Sequence, residues 1–376
     1  MVNPLTFYNA LADAGVDFYA GVPDSLLGPF CSCVAEHSTE DRHIITANEG
    51  AAIALAAGDY LASAKPSLVY MQNSGLGNAI NPLLSLADAS VYGIPMLLMI
   101  GWRGEPGLAD EPQHLAQGKA TIALLDAMGI THCQLPKETS EAIVMLKQLH
   151  ERALEENKPI AMLVSKDTFS EYKTDDNKPD EAILLNRERA IELILKVIKP
   201  DSSVVASTGM ISRELYELRD GLKQSHDTDF LTVGSMGHCS QVALGVALAG
   251  KSKQVICLDG DGAALMHMGS LAIIGQAATP NLVHVILNNG RHDSVGGQPT
   301  CGLEIDFATI AKGCGYRSAD IVNSESELLT ALETLSNAEG PVLLDLRIGP
   351  GHRADLGRPN ISPQDQKHAF MRHLEG

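Results

Sequence analysis

Gln254-Val255-Ile256-Cys257-Leu258-Asp259-Gly260-Asp261-Gly262 and Leu282-Val283-His284-Val285-Ile286-Leu287-Asn288-Asn289-Gly290 bound the stretch whose reading decides the fold. Each begins with an apolar run suited to a buried parallel strand, and Ala263 to Gln276 between them is a helix-length Ala/Leu/Met segment, broken by Pro280 and Asn281. The whole reads as a βαβ unit. Such crossovers are right-handed and join parallel strands, so Asp261 and the Asn288-Asn289 pair should emerge at the same C-terminal sheet edge. Glycines on both sides of Asp261 let the backbone approach a diphosphate closely, and Asp and Asn supply the oxygen ligands that a hard cation such as Mg²⁺ takes alongside phosphate. Either piece alone reads equally well as an ordinary turn after a strand.

Outward from this unit the same alternation recurs in both directions. On the N-terminal side, strands are expected at 16–22, 43–47, 67–71, 95–100 and 160–164, separated by helices that include the Ala-rich 51–61 segment and 114–128. Asp24 or Ser25 should cap the helix after the first strand. Around the opening unit, strands are expected at 203–207, 230–233 and 341–348, with helices at 190–198, 212–218, 242–248 and 325–336. Strands alternating with helices predict an α/β fold of two doubly wound parallel-sheet domains, 1–165 and 189–376. The charged stretch 166–188, poor in core residues, is expected to be an exposed linker. No internal sequence repeat relates the halves.

Composition narrows the function classes. The chain is 45% apolar and 20% charged, as in a globular protein with room for two cores in 376 residues. A formal charge of −18 argues against nucleic acid, whose phosphates are bound by Lys and Arg. The longest apolar stretch, 91–100, is too short to span a bilayer and contains Gly93 and Pro95, and the first residues lack the basic and apolar regions of a signal peptide. A cytoplasmic protein without membrane contact is expected. Seven cysteines form no Cys-x-x-Cys pair and no zinc-like spacing, and are expected to be reduced and packed. No Gly-x-Gly-x-x-Gly follows the first strand, which disfavours a nicotinamide-binding fold.

Glu49 is the second anchor. It stands at a strand-to-helix junction among Ala47, Gly50, Ala51 and Ala52, where it has little to pair with, and burial would favour its protonated form. Taken alone, it reads equally as a helix N-terminal acid stabilised by the macrodipole. With Asn48-Glu49-Gly50-Ala51-Ala52 in a first α/β domain and Gly260-Asp261-Gly262 followed by Asn288-Asn289 in a second, the chain resembles the thiamine-diphosphate-dependent decarboxylase superfamily. That resemblance implies a pyrimidine-binding domain followed by a diphosphate-binding domain, here without the middle domain of larger members, and thiamine diphosphate with Mg²⁺ as cofactors. It gives Glu49 the hydrogen bond to the aminopyrimidine N1′. Gly234, Ser235 and Met236 are similar to the loop that holds the cofactor bent, with the Gly234 carbonyl and the Met236 wedge facing it. Asp261, the Asn289 side chain and the Arg291 carbonyl would be metal ligands, and Ser207, Thr208, Gly260, Gly262 and Ala263 neighbours of the diphosphate.

Further motifs narrow the resemblance. Gly21-Val22-Pro23-Asp24-Ser25, Gly101-Trp102-Arg103-Gly104, Asp110-Glu111-Pro112-Gln113-His114 and Gly357-Arg358-Pro359 look like those of the phosphonopyruvate decarboxylase family. The sulfopyruvate relatives share the first two patterns but typically divide the two domains between subunits, whereas here they are fused. The resemblance implies a small anionic 2-oxo acid as substrate, with Arg103, His114, Arg291, His292, Arg353 and Arg358 as candidates to bind its anionic groups. Asp24 would relay a proton or steer the carboxylate, or else cap its helix. His238 and His267 are expected to be structural. The resemblance also implies at least a homodimer, with active sites between subunits. The resemblance implies decarboxylation of 3-phosphonopyruvate, with a sulfopyruvate or other 2-oxo acid decarboxylase or carboligase as the alternative. An idle cofactor-binding subunit is the rival from another class, disfavoured because Glu49 accompanies Asp261 and Asn289.

Overall fold

The structure is a computed structural model that describes residues 1–173, 185–250, 253–335 and 339–375. The chain divides into two compact units, Met1–Asn177 and Lys178–Gly376. In the first, strands β1 (Tyr19–Gly21), β2 (His43–Ile45), β3 (Ser67–Gln72), β4 (Met96–Gly101), β5 (Thr131–Gln134) and β6 (Pro159–Val164) form one parallel sheet in the order β2-β1-β3-β4-β6-β5. The central strands β3, β4 and β6 are buried along almost their whole length, because helices cover both faces, and so they read as continuous apolar runs. Alternate residues serve opposite layers. Leu68, Tyr70, Leu97 and Met99 pack with Phe7, Leu11 and Phe30, while Val69, Met71, Leu98 and Ile100 pack with Ala52 and Ile53 of helix Glu49–Ser63.

In the second unit, β7 (Ser203–Ala206), β8 (Asp229–Leu231), β9 (Val255–Gly260) and β10 (Leu282–Asn288) are followed by a small antiparallel ribbon, β11 (Arg291–His292) with β12 (Gln298–Pro299), and then by β13 (Ser318–Val322) and β14 (Val342–Arg347). The parallel sheet runs β13-β14-β10-β9-β7-β8. Ranked within its own sheet, each order is second, first, third, fourth, sixth, fifth. The two halves are the same fold built from unlike side chains. In each, the order reverses beside the first strand, and the C-terminal strand ends there bound the crevice where such sheets take ligands.

Several expectations are corrected. The helix read over 263–276 is two helices, Asp261–Met266 and Ser270–Ala277, interrupted at His267-Met268-Gly269. The helix after β1 begins at Gly28 with Leu27 as N-cap and no side-chain cap bond, so neither Asp24 nor Ser25 caps it. Within the stretch expected as a linker, Val2 N donates to Thr168 O at 2.8 Å, Ser170 N donates to Val2 O at 2.9 Å, and Phe169 stacks on Phe30 at 5.5 Å between centroids. The first unit's core therefore reaches past Ser165. Residues 174–184 of that stretch lie outside the described residues, and a helix is already under way at Arg187. Edge strands β5 and β13 and helices Thr139–Glu156, Phe307–Cys314 and Pro363–Glu375 have no counterpart in the sequence reading. Among the described residues, no helix is long and apolar enough to cross a membrane.

Candidate active site

Asp24, Glu49 and Arg103 follow β1, β2 and β4, and Thr208, Ser235, Asp261 and Asn289 follow β7, β8, β9 and β10, at the C-terminal edges of the two sheets. In the second unit, β9 ends at Gly260 and the next helix starts at Asp261, 2% exposed. Burial pushes the Asp261 carboxyl up to about 6, partly offset by hydrogen bonds from the Thr300 hydroxyl and from the backbone N–H groups of Asn289 and Gly262. Gly302 closes this corner: a Cβ there would lie 2.6 Å from Asp261 Oδ2 and 2.8 Å from Asn288 Oδ1. Asp261 is thus an anionic donor taken out of water among neutral partners, a situation that a divalent cation relieves.

The paired asparagines at the end of β10 have different surroundings. Asn288 is fully buried, with Nδ2 donating to Gly302 O at 2.8 Å and to Asp345 Oδ1 at 2.9 Å, and its own Oδ1 accepting from Gly290 N at 3.3 Å. It holds the loop together. Asn289 donates Nδ2 to Asp293 Oδ2 at 2.6 Å, while its Oδ1 accepts from Arg291 N at 3.1 Å. Asp293 Oδ2 also accepts from Arg187 Nη1 at 2.9 Å and Gly351 N at 3.0 Å, and Arg187 forms a buried two-bond pair with Glu214 at 2.8 and 3.0 Å. A chain of charged groups therefore sets the Asn289 amide so that its oxygen, not its nitrogen, is available as a ligand. Asp261, Asn289 and the Arg291 backbone together could hold a hard cation.

Around them, Met236 and His292 converge on Gly262. A Cβ there would meet the His292 ring at 2.7 Å and Met236 Cε at 3.5 Å. Burial lowers the His292 pKa to about 4, so this ring is neutral and does not add positive charge for an anion. In the loop after β8, Ser235 has φ +55°, a left-handed conformation that costs a non-glycine residue energy and gathers at functional loops. Thr208 and Gly209 precede helix Met210–Leu222 at the end of β7, and the Ser207 carbonyl accepts from Ser212 Oγ at 2.7 Å. Of the arginines expected to meet substrate, Arg353 is taken up by Glu188, Glu217 and Asp355. His238 and His267 lie ring against ring, 4.5 Å between centroids. Beneath Gly260, Cys257, Asp259 and His284 converge in the core; Asp259 Oδ1 accepts from Gly260 N at 3.0 Å, and His284 Nε2 lies 3.4 Å from Asp259 Oδ2. This buried pair props the turn that carries Asp261.

The first unit's edge carries two buried carboxyls, Glu49 and Asp24. Glu49 opens its helix, 4% exposed, after Asn48 caps it through Ala51 N at 2.9 Å. Contrary to expectation it has a partner: Asn78 Nδ2 donates to Glu49 Oε2 at 2.7 Å. A Cβ on Gly75 would lie 2.2 Å from Glu49 Oε1, so only glycine leaves room for the carboxylate. Asp24, fully buried, accepts from Leu26 N at 2.6 Å and from Gln72 Nε2 at 2.7 Å. Burial raises its pKa, while Gln72, the Leu26 N–H and the charges of Arg103 and His114 oppose the rise. Arg103 donates Nε and Nη2 to the two oxygens of Asp110 at 2.9 and 2.5 Å, and Nη1 to Ser25 Oγ at 2.7 Å. His114 Nδ1 lies 2.8 Å from Asp110 Oδ1. Asn73, 2% exposed, fixes the Arg103 backbone by donating Nδ2 to its carbonyl at 2.8 Å and accepting its N–H at 3.1 Å.

Each unit brings its own candidates together: Asp24, Arg103 and His114 in one, and Asp261, Asn289, Arg291 and Met236 in the other. The sequence reading assigned no role to Gln72, Asn78, Asp110, Thr300, Asp293 or Arg187. Asp110 stood inside a quoted motif; Thr300 and Arg187 act across 39 and 106 residues of chain.

Comparison with known proteins places these edges in context. Residues 6–133 match the thiamine pyrophosphate enzyme N-terminal TPP binding domain, and residues 205–346 the C-terminal TPP binding domain. The chain is 35% identical to a phosphonopyruvate decarboxylase of Streptomyces viridochromogenes over 98% of its own length and 94% of the relative's. It is 36% identical to a phosphonopyruvate decarboxylase of Streptomyces hygroscopicus over 98% and 93%. A sulfopyruvate decarboxylase of Methanosarcina acetivorans is 28% identical over 97% and 96%. That relative corrects one expectation: it spans both halves in one chain, so fusion of the two domains does not separate the two kinds of enzyme.

Proposed function

The chain belongs to the thiamine pyrophosphate enzymes as a 2-oxo acid decarboxylase, and from that premise we propose that it converts 3-phosphonopyruvate to phosphonoacetaldehyde and CO₂ with thiamine diphosphate and Mg²⁺. The observation that carries this reading is the juxtaposition of Asp261 and Asn289 at adjoining strand ends, in a chain that matches two phosphonopyruvate decarboxylases along nearly its whole length. The donor set fits the ion: a buried carboxylate, an amide oxygen oriented by Asp293, and a backbone carbonyl are hard oxygen ligands that leave room for phosphate oxygens and water.

When bound, thiamine diphosphate supplies the electron sink for the pair left behind as CO₂ departs. The chain's own residues do the rest. Asp261, Asn289 and the Arg291 carbonyl hold Mg²⁺, with Thr208, Gly260, Gly262 and Ala263 around the diphosphate. The Gly234 carbonyl, Ser235 and Met236 would line the cofactor. Glu49, enclosed by Gly75 and held by Asn78, would hold the proton it exchanges with the pyrimidine nitrogen. Arg103 and His114 bind the substrate's anionic groups, and Asp24, whose raised pKa suits a proton carrier, returns a proton to the carbon that lost CO₂. The protein works as a homodimer or higher homo-oligomer.

Two measurements test this. Titration calorimetry should show thiamine diphosphate binding that depends on Mg²⁺ and disappears on chelation. CO₂ release from phosphonopyruvate, sulfopyruvate and pyruvate, measured side by side, should favour the first; equal or faster turnover of sulfopyruvate would overturn the substrate assignment in favour of the second reading, which the full-length Methanosarcina relative motivates. Glu49→Gln should abolish turnover while sparing metal binding.

A further inference from the structure

We propose that Asp110 is the positioning residue of the first unit's substrate-side cluster: its carboxylate sets the tautomer of His114 and the presented edge of Arg103 together. The inference rests on the reading of Arg103 and His114 as substrate-binding groups.

Asp110 accepts five hydrogen bonds. Oδ1 takes Arg103 Nη2 at 2.5 Å, Glu111 N at 2.8 Å and His114 Nδ1 at 2.8 Å; Oδ2 takes Arg103 Nε at 2.9 Å and Gly104 N at 2.8 Å. Its side chain is only 13% exposed. Burial alone would raise its pKa, but the bonds from Arg103, His114 and Gly104 outweigh it and hold the carboxyl below its ordinary range. The group is therefore an ionised, acceptor-only carboxylate.

Two consequences follow from donor accounting. An acceptor-only partner at 2.8 Å requires that His114 Nδ1 carry the hydrogen, so in the neutral ring Nε2 is the nitrogen with the lone pair and the one that takes up a proton. A guanidinium has five N–H donors; Asp110 uses one on Nε and one on Nη2, and Ser25 Oγ uses one on Nη1. One N–H remains on each terminal nitrogen to meet a carboxylate or phosphonate oxygen. Because the Asp110 charge offsets that of Arg103, the cluster holds an oxyanion by directed donors more than by net charge. The same carboxylate also ties Gly104 N to Glu111 N, so the loop between them and the two side chains are fixed as one piece. Ser25 links this piece to the turn that carries Asp24.

The decisive measurement is made on the wild-type holoenzyme with ¹⁵N-labelled histidine, using a His114→Gln sample to assign the resonance. His114 should show a protonated Nδ1 and a bare Nε2 in the neutral ring; the opposite tautomer would overturn the proposal whatever the enzyme's substrate proves to be. Asp110→Ala should lose that tautomer bias and raise the KM for phosphonopyruvate on the order of 100-fold, with thiamine diphosphate affinity within about twofold of wild type. Asp110→Glu should recover part of the loss. Unchanged KM and kcat in Asp110→Ala would refute the positioning role. If instead Arg103→Ala and His114→Gln are fully active while the tautomer is as stated, the substrate-side reading has failed and the proposal falls with it, a result distinguishable from the first because the resonance is unaltered.

Discussion

At the scale of single residues, glycine and carboxylate positions decide what the two edges can do. Gly75 is required because a Cβ there would overlap the Glu49 carboxylate. Gly75→Ala should therefore displace Glu49 and lower kcat on the order of 100-fold, with little change in the thermal melt; an unimpaired kcat would show that the carboxylate is not held as described. At the other edge, Asp261→Asn keeps the shape and removes the charge. Mg²⁺-dependent binding of thiamine diphosphate should weaken on the order of 100-fold by calorimetry, whereas the same change at the exposed Asp355 should leave it unaltered. Arg103 and His114 were readable as candidates to bind an anion beside a strand end, but the Asp110 carboxylate that joins them became evident only from their shared bonds.

At the scale of elements, the two sheet edges are rigid because buried polar groups tie loop to helix. Arg187, at the start of helix Arg187–Val197, joins Glu214 of helix Met210–Leu222 to Asp293 behind Asn289, with both side chains of the Arg187–Glu214 pair 5% exposed or less. Arg187→Ala leaves two acids without their cation and should cost about 3–5 kcal/mol in denaturant unfolding; a cost below about 1 kcal/mol would mean the pair is not desolvated as the structure has it. In the first unit, burial lowers the pKa of His43 on β2 from 6.5 to about 4. The unfolded chain then binds this proton more readily than the folded one, so stability contributed here is full above about pH 6.5 and falls as pH drops toward 4, by at most about 1.4 kcal/mol per pH unit. His43→Gln should flatten the pH dependence of unfolding in that window relative to wild type.

At the scale of the whole molecule, two units of one topology present different groups: the carboxyls of Asp24 and Glu49 with Arg103 and His114 on the first, and Asp261 with Asn289 on the second. If each working site draws on both kinds of unit from different subunits, then Glu49→Gln and Asp261→Asn homo-oligomers, each inactive, should regain up to about a quarter of wild-type activity after subunit exchange, since random pairing of two chains yields half mixed dimers with one intact site in two. No recovery after verified exchange would place both contributions within one chain.

The sequence by itself determined the class of fold and the two anchors. Buried parallel strands write themselves as apolar runs such as 255–258 and 282–287, and the groups that must lie at strand ends follow directly after them, so Asp261, Asn289, Glu49 and Asp24 were legible. Edge strands such as Thr131–Gln134 are half exposed and polar, and a helix interrupted at His267 to Gly269 keeps its apolar composition, so neither leaves a periodic signal. The matching strand order of the two halves was equally hidden, because topology constrains burial and not identity. Only the tertiary structure decided which asparagine is tied up by Asp345 and which is turned by Asp293, that Asn78 meets Glu49, and that one carboxylate, Asp110, commands both Arg103 and His114. These are hydrogen bonds made where strand ends and loops converge, and their partners are chosen by proximity in space that no local pattern along the chain records.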